Sequence, residues 1–415
     1  MNSKEGRMVS KGASGLKENL WNLSYICTLI VNLIINMSSI ILITVLPLYT
    51  MTIGGNNFIA GLLTTVLTIS AFLCRPIFGK MLDSVGRRRV LILGLLMFSI
   101  STGMLLASHH LYILLLLRLI QGVGLSAYST ALGTILSDVL PMERVSEGVG
   151  YFGIASTISM AVGPSIGLYL IERYDYNTTY IVSSAIALFG ICFAYFIRYE
   201  KEDNRRKPSE EVQVIYTASV ERLGQQKKNS FIEKTALKPC VVMFFIVFAI
   251  SAVFSFMPLF GEERRIEGIG LFFTFYAAAM IISRLLTGRI ADRYGFASAF
   301  LPGIVITLLL FVILAYAYSL PMVLLAALFY GVGYGTVQPI MNAVVIKLCP
   351  PERRGAANAT YYATLDIGFG LGSFVWGIIS QLFGFTAVFL ICAFCIALSI
   401  GIYFLVLHPI IRMRY

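Results

Sequence analysis

One stretch of this chain is written twice, at an offset of 209 residues, the distance from Arg75 to Arg284, and both copies set an arginine inside an apolar run. The same offset carries Gly79 to Gly288, Asp83 to Asp292 and Gly86 to Gly295. Downstream it carries Gly122-Val123-Gly124 to Gly331-Val332-Gly333, Pro141 to Pro350, Glu143-Arg144 to Glu352-Arg353 and Gly163 to Gly372. A constant offset held that far implies two homologous halves, with a central site where they meet.

The repeated unit is a membrane unit. Apolar runs fall near 22–49, 57–80, 90–108, 111–136, 146–171, 178–197, 239–260, 268–289, 297–317, 321–346, 356–381 and 385–407. Runs of about 20 residues match the ~30 Å hydrocarbon core of a bilayer, and their length excludes the short alternating segments of a β-barrel. With 58% hydrophobic residues, 13% charged and a mean hydropathy of +0.82, ordinary soluble usage is excluded as well. The predicted fold class is an all-α membrane protein, twelve transmembrane helices in two pseudo-symmetric six-helix bundles.

A net charge of +11 raises the question of nucleic acid, and its distribution answers it. If the N-terminus is cytoplasmic, only Arg173, Arg264 and Arg265 fall on the outer side, and only Arg75, Arg118 and Arg284 fall inside helices. Every other lysine and arginine lies in a cytoplasmic segment, as the positive-inside rule requires. The expectation is a multi-pass protein of the plasma membrane with both termini cytoplasmic, and a lipid bilayer rather than nucleic acid as its partner. Residues 1–21 read as a cytoplasmic tail without a cleavable leader, 22–198 as the first bundle, 199–237 as a cytoplasmic linker, 238–408 as the second bundle and 409–415 as a C-terminal tail. The seven cysteines, including Cys392 and Cys395, read as small packing residues. Neither a metal cluster nor a phosphate-binding glycine loop with lysine is present, so no metal, cofactor or enzyme activity is expected.

Three groups of residues stand out. Gly79, Asp83, Gly86, Arg87 and Arg88, with their repeats Gly288, Asp292 and Gly295, read as a latch closing the cytoplasmic side. Arg75 and Arg284 lie two helical turns before the aspartates, either snorkelling to the surface or joining that latch. Asp366 is the one acidic residue placed near mid-membrane, a candidate to bind and release a proton, or else a structural aspartate bonded to a tyrosine or to Arg118. Arg118 lies within the fourth span, facing the bundle interior or snorkelling toward His109 and His110. Polar residues at steps of four, Asn32 and Asn36, then Tyr334, Gln338 and Asn342, together with Tyr362 beside Asp366, are either cavity-lining or interhelical hydrogen-bonding groups.

The chain resembles the twelve-span major facilitator superfamily, and more narrowly its drug:proton antiporters. The loop signature G-x-x-x-D-x-x-G-R-R/K is met from Gly79 to Arg88, and R-x-x-Q-G-x-G by Arg118, Gln121, Gly122 and Gly124. The antiporter signature of the fifth span is met by Gly163, Pro164 and Gly167, while Ser159 and Leu168 replace its outer glycines. The resemblance implies two bundles rocking about a central cavity, Arg118 taking part in proton coupling, and a fifth span that serves as a hinge or limits proton leak. The expected activity is proton-coupled efflux of small amphipathic or cationic molecules by a monomer. The alternative on the same fold is an exporter or importer of one metabolite, a sugar, an amino-acid derivative or a metallophore.

Overall fold

The computed structural model describes residues 20–108, 110–140, 145–197, 234–349 and 354–409, with side chains described except at 83, 145–147, 149, 234, 288–289, 291–292, 294, 354–356 and 358–359. Among the described residues the regular structure is helical throughout. The first half holds α1 (Leu23–Thr52), α2 (Asn57–Val85), α3 (Arg87–Gly103), α4 (Leu111–Val139), α5 (Val145–Arg173) and α6 (Tyr176–Phe196). The second holds α7 (Lys234–Glu263), α8 (Leu271–Tyr294), α9 (Phe296–Ala315) and α10 (Leu320–Leu348). A final stretch, Arg354–Ile402, leaves helical geometry at Gly384 (φ 74°, ψ 174°), which divides it into two arms, α11 (354–383) and α12 (385–402). Among the described residues, ten helices can cross a membrane by length and composition, the 48-residue Thr360–Leu407 being counted once, and Leu271–Thr287 is a shorter apolar helix.

The repeat fixes where helices stop as well as what they contain. The 209-residue offset carries α4, Leu111–Val139, onto α10, Leu320–Leu348, with both ends in register. It also carries Gly86 (φ 100°) onto Gly295 (φ 86°), each turning the chain between two helices in a conformation that would strain any residue with a Cβ. Asn22 and Asn56 cap α1 and α2 through bonds of 2.8 and 3.0 Å to the amides of Tyr25 and Ile59. Asp175 caps α6 by accepting from the Thr178 amide at 2.7 Å, and bonding to Thr178 holds its carboxyl below the usual carboxylate range. α7 opens at Lys234, inside the segment read as linker; 198–233, and with it most of that linker, lies outside the described residues, as do 1–19 and 410–415.

Each half packs round its own core. One buried cluster draws only on the first half, including Val31, Leu95, Leu117 and Tyr180. A second draws on the second half, including Phe256, Phe311 and Trp376, and takes in Leu48, Ala60 and Leu168 from the first. Helices approach closely where both carry glycine, as in other membrane bundles. A Cβ at Gly124 of α4 would lie 2.9 Å from the Gly94 carbonyl of α3, and one at the repeat position Gly333 would lie 3.0 Å from that of Gly303. Large apolar side chains such as Leu285, Phe394 and Leu405 are exposed, the arrangement expected of a surface solvated by lipid.

The halves meet along α2 with α11, α5 with α8, and α1 with α7. The end of the bundle where α1 begins is called near below, and the opposite end far.

Candidate functional site

Along α2 a single face reaches the other half. From the far end, the Asn57 amide donates to Gln381 Oε1 at 3.1 Å and the rings of Phe58 and Phe374 sit 5.5 Å apart. Gly61 lies against the Ser373 backbone, and Thr65 donates to the Gly370 carbonyl at 2.8 Å. The line ends at an ion pair, Arg75 Nη2 to Asp366 Oδ2, 2.8 Å.

The other crossing repeats this plan with different partners. Gly270 packs on Leu168, and Thr274 shares a hydroxyl–hydroxyl bond of 3.1 Å with Ser165. Arg284 Nη1 then donates to Thr157 Oγ1 at 2.8 Å, and its Nη2 to Gln338 Oε1, also at 2.8 Å. Gly61 and Gly270, Thr65 and Thr274, Arg75 and Arg284, and Asp366 and Thr157 are all related by the offset of 209. Steps of 4 and 14 residues put the threonine and the arginine about 40° to either side of the glycine, on one face about 80° wide round a helix of 3.6 residues per turn.

Arg75 and Arg284 therefore do not run to the surface. Each finds polar partners across the interface, a better compensation for a buried charge than a long reach to water. Asp366 meets Arg75 rather than Arg118. Arg118 is fully buried inside the first half, donating to the Leu42 carbonyl at 3.2 Å and to Gln121 Oε1 at 3.1 Å. Gln121 in turn donates to Thr102 Oγ1 at 3.2 Å. Among the described residues no acidic side chain pairs with Arg118 or with Arg284, whereas Arg75 has one.

Pro164 has a consequence for the interface. Lacking an amide hydrogen, it leaves the Met160 carbonyl without its intrahelical partner. Tyr276, from α8 of the other half, donates its hydroxyl to that carbonyl at 3.0 Å. Gly163 and Gly167 let α1 approach; a Cβ at either would lie 3.0 Å from the side chain of Ile40 or Val45. Ser159, where the signature has glycine, donates to the Leu33 carbonyl at 2.8 Å and ties α5 to α1. Leu168, the other departure, is the residue that meets Gly270.

The residues expected to line a cavity divide. Asn32 is buried and joins α1 to α5, donating to the Phe152 carbonyl at 3.1 Å and to Ser156 Oγ at 2.9 Å; Asn36 donates back to it at 2.8 Å. Gln338 binds Arg284, and its own carbonyl accepts from Tyr361 at 3.0 Å. Tyr334 stacks toward Tyr330 (5.7 Å), which faces Tyr276 at 4.8 Å, and Phe254 closes the cluster 6.0 Å from both Tyr276 and Tyr330. Arg284 lies within electrostatic reach of Tyr276, Tyr330, Tyr334 and Tyr361, and Tyr362 within reach of both Arg284 and Arg75. Asn342, one turn past Gln338, has a buried Oδ1 without a partner.

Of the expected latch, Asp83 and Asp292 lie on helix backbone, but with Gly288 their side-chain positions fall outside the described residues. Arg87 pairs with Asp138 at 3.4 Å and Arg88 lies 4.5 Å over the ring of Tyr195, both contacts within the first half. Gly79 has open space where a Cβ would stand.

A family profile described as Major Facilitator Superfamily matches residues 28–269 and 265–412. The chain is 25% identical over 370 residues to the "Staphylopine export protein" of Staphylococcus aureus, covering 88% of this chain and 91% of that one. It is 23% identical over 378 residues to the "Multi-drug resistance efflux pump PmrA" of Streptococcus pneumoniae, covering 89% and 92%. Its fold is similar to that of the nucleoside transporter NupG (TM-score 0.69, 15% identity, 92% of this chain and 98% of that one). It is also similar to that of a POT family transporter in complex with 5-aminolevulinic acid (TM-score 0.75, 12% identity, 92% and 96%). Two repeat-related helical halves joined by matched crossings, and a profile that spans both, place this chain in the major facilitator superfamily, as a multi-pass membrane transporter of small molecules and not an enzyme.

Proposed function

We propose that the protein is a proton-coupled exporter of small amphipathic molecules. It acts as a monomer in the plasma membrane with both termini in the cytoplasm, so that near is inside and far is outside. The Arg75–Asp366 ion pair carries this reading. It joins two bodies that must separate if the cargo site is to face both sides in turn, and it contains an acid. Protonation of Asp366 removes the attraction to Arg75 and loosens this crossing, so the proton and the conformation are linked through one bond. The contacts from Asn57 to Arg75 and from Gly270 to Arg284 support a state with its far end closed. The export direction takes its support from the names of the relatives, a staphylopine exporter and a multidrug pump.

The expectation of a cationic cargo draws on one buried carboxylate beside tyrosines, Asp366 with Tyr362. Asp366 is engaged by Arg75, so that support falls away. The test is flux in proteoliposomes under an imposed pH gradient, with a fluorescent dye as cargo and Asp366→Asn beside the wild type. The wild type is expected to move dye uphill in response to the gradient, and Asp366→Asn to pass it only downhill. Uphill movement by both proteins, or gradient-independent flux by the wild type, overturns the coupling role.

A further inference from the structure

Charged side chains set within these helices do not balance. Arg75, Arg118 and Arg284 lie within α2, α4 and α8 and face a single interior acid, Asp366, among the described residues. Arg118 is walled into the first half, and Arg75 takes the aspartate. Arg284 remains at the interface between the halves with two neutral acceptors, the Thr157 hydroxyl and the Gln338 amide oxygen. Its Nε–H is buried without an acceptor, as are those of Arg75 and Arg118, and so is the Tyr330 hydroxyl, on a fully buried ring within electrostatic reach of Arg284. A guanidinium presents a planar fork of donors suited to two oxygens of one carboxylate. Interior charge is costly and is ordinarily matched by an opposite charge or a ligand.

We infer that Arg284 is the docking point for an anionic group of the cargo, a carboxylate or a group of like geometry, held between the halves beside the Tyr276–Tyr330–Tyr334 aromatic cluster. The anion takes the unused Nε–H and displaces one neutral acceptor, while the aromatic rings cover the apolar part of the molecule. Thr157 is essential to this assignment. It occupies the repeat position of Asp366, and an acid there would neutralise Arg284 internally, as Asp366 pairs with Arg75. The neutral residue leaves the guanidinium available to a ligand. The inference rests on the transporter reading above and adds the charge class of the cargo to it.

The test uses the purified full chain and two dyes on the same xanthene ring, anionic carboxyfluorescein and cationic rhodamine 6G, with binding read by fluorescence anisotropy. The wild type is expected to prefer carboxyfluorescein. Arg284→Gln is expected to weaken that dye roughly 10- to 100-fold, the worth of one lost charge-assisted interaction. Arg284→Lys, which keeps the charge and loses the fork, is expected to recover part of the loss. Thr157→Asp is expected to weaken carboxyfluorescein as much as Arg284→Gln does and to leave rhodamine 6G unchanged or tighter. A wild type that prefers rhodamine 6G or binds no carboxyfluorescein at millimolar concentration overturns the inference, as does an Arg284→Gln protein of unchanged affinity. If Arg284→Gln fails to fold, Thr157→Asp decides, and unchanged carboxyfluorescein binding by that variant overturns it. Gradient-driven flux of rhodamine 6G alone ends this inference and keeps the exporter. Carboxyfluorescein binding without gradient-driven flux of either dye ends the exporter reading and keeps the docking site.

Discussion

The α2–α11 and α5–α8 crossings descend from one ancestral contact, and they have diverged in what answers the shared residues. On the first, Gly61 touches backbone, Thr65 bonds a backbone carbonyl and Arg75 meets a carboxylate. On the second, Gly270 touches a leucine side chain, Thr274 bonds a serine hydroxyl and Arg284 meets a threonine and a glutamine. In the proposed function, backbone and charge make the first crossing stiff and sensitive to protons. Side chains and neutral groups make up the second, where the inference above leaves the arginine's charge open to a visitor. On that reading, duplication supplies two equal gates, and changes of partner give them different work.

Glycine replacement tests the stiffness most directly. A Cβ at Gly61 would run into the Ser373 carbonyl and lie 3.1 Å from the Phe256 ring, where little can give way. A Cβ at Gly270 would lie 3.2 Å from Leu168 Cδ1, the end of a flexible side chain. Gly61→Ala is therefore expected to cut transport roughly tenfold or more, at the scale of an overpacked interface. Gly270→Ala is expected to stay within about twofold of wild type. Dye efflux from proteoliposomes measures both, and equal losses would show that the two crossings are not mechanically distinct.

Next comes removal of the groups that the arginines meet. Asp366→Asn leaves Arg75 without an acid, and because both side chains are partly exposed, 33% and 23%, the cost is discounted to about 1–2 kcal/mol. Thr157→Val takes one neutral acceptor from Arg284, which keeps Gln338, and costs about 0.5–1 kcal/mol. Thermal unfolding in detergent ranks the two, and a larger loss from Thr157→Val would reverse the assignment of the ionic crossing as the stronger one.

Much of this was written in the sequence, but unevenly. The repeat, the apolar runs and the paired arginines are local patterns, and they set the helices and the two halves. What the arginines meet could not be read in the same way. Asp366 and Thr157 are legible as a repeat pair, but nothing local says that α2 lies against α11 and α8 against α5, so the sequence leaves Arg75 either snorkelling to the surface or joining the downstream loop. Extending the offset of 209 back along α2 would have found Gly61 with Gly270 and Thr65 with Thr274, and with them the face that crosses. Asn32 was ambiguous for another reason. A polar residue in a membrane helix faces a cavity or another helix with the same sequence signature, and here it bonds α5. Arg118 carried a motif but not its neighbours, and the Leu42 carbonyl that it binds has no identity in sequence at all.

The smallest effect bears on the soft crossing and on the proline beside it. Tyr276→Phe removes the hydroxyl that serves the Met160 carbonyl, a bond worth about 1 kcal/mol, and is expected to lower the unfolding temperature slightly and to speed release of the far-end contact. The reason for the bond is testable apart from its strength. In Pro164→Ala the amide of residue 164 returns, and the Met160 carbonyl regains its partner four residues on. Tyr276→Phe should then cost less than it does beside the native proline, with a coupling of about 0.5–1 kcal/mol in the double-mutant cycle. Additive losses in that cycle would mean that proline and tyrosine act independently. The soft crossing would then owe its contact to Tyr276 packing against Tyr330 and Phe254 rather than to a carbonyl that the helix itself left unpaired.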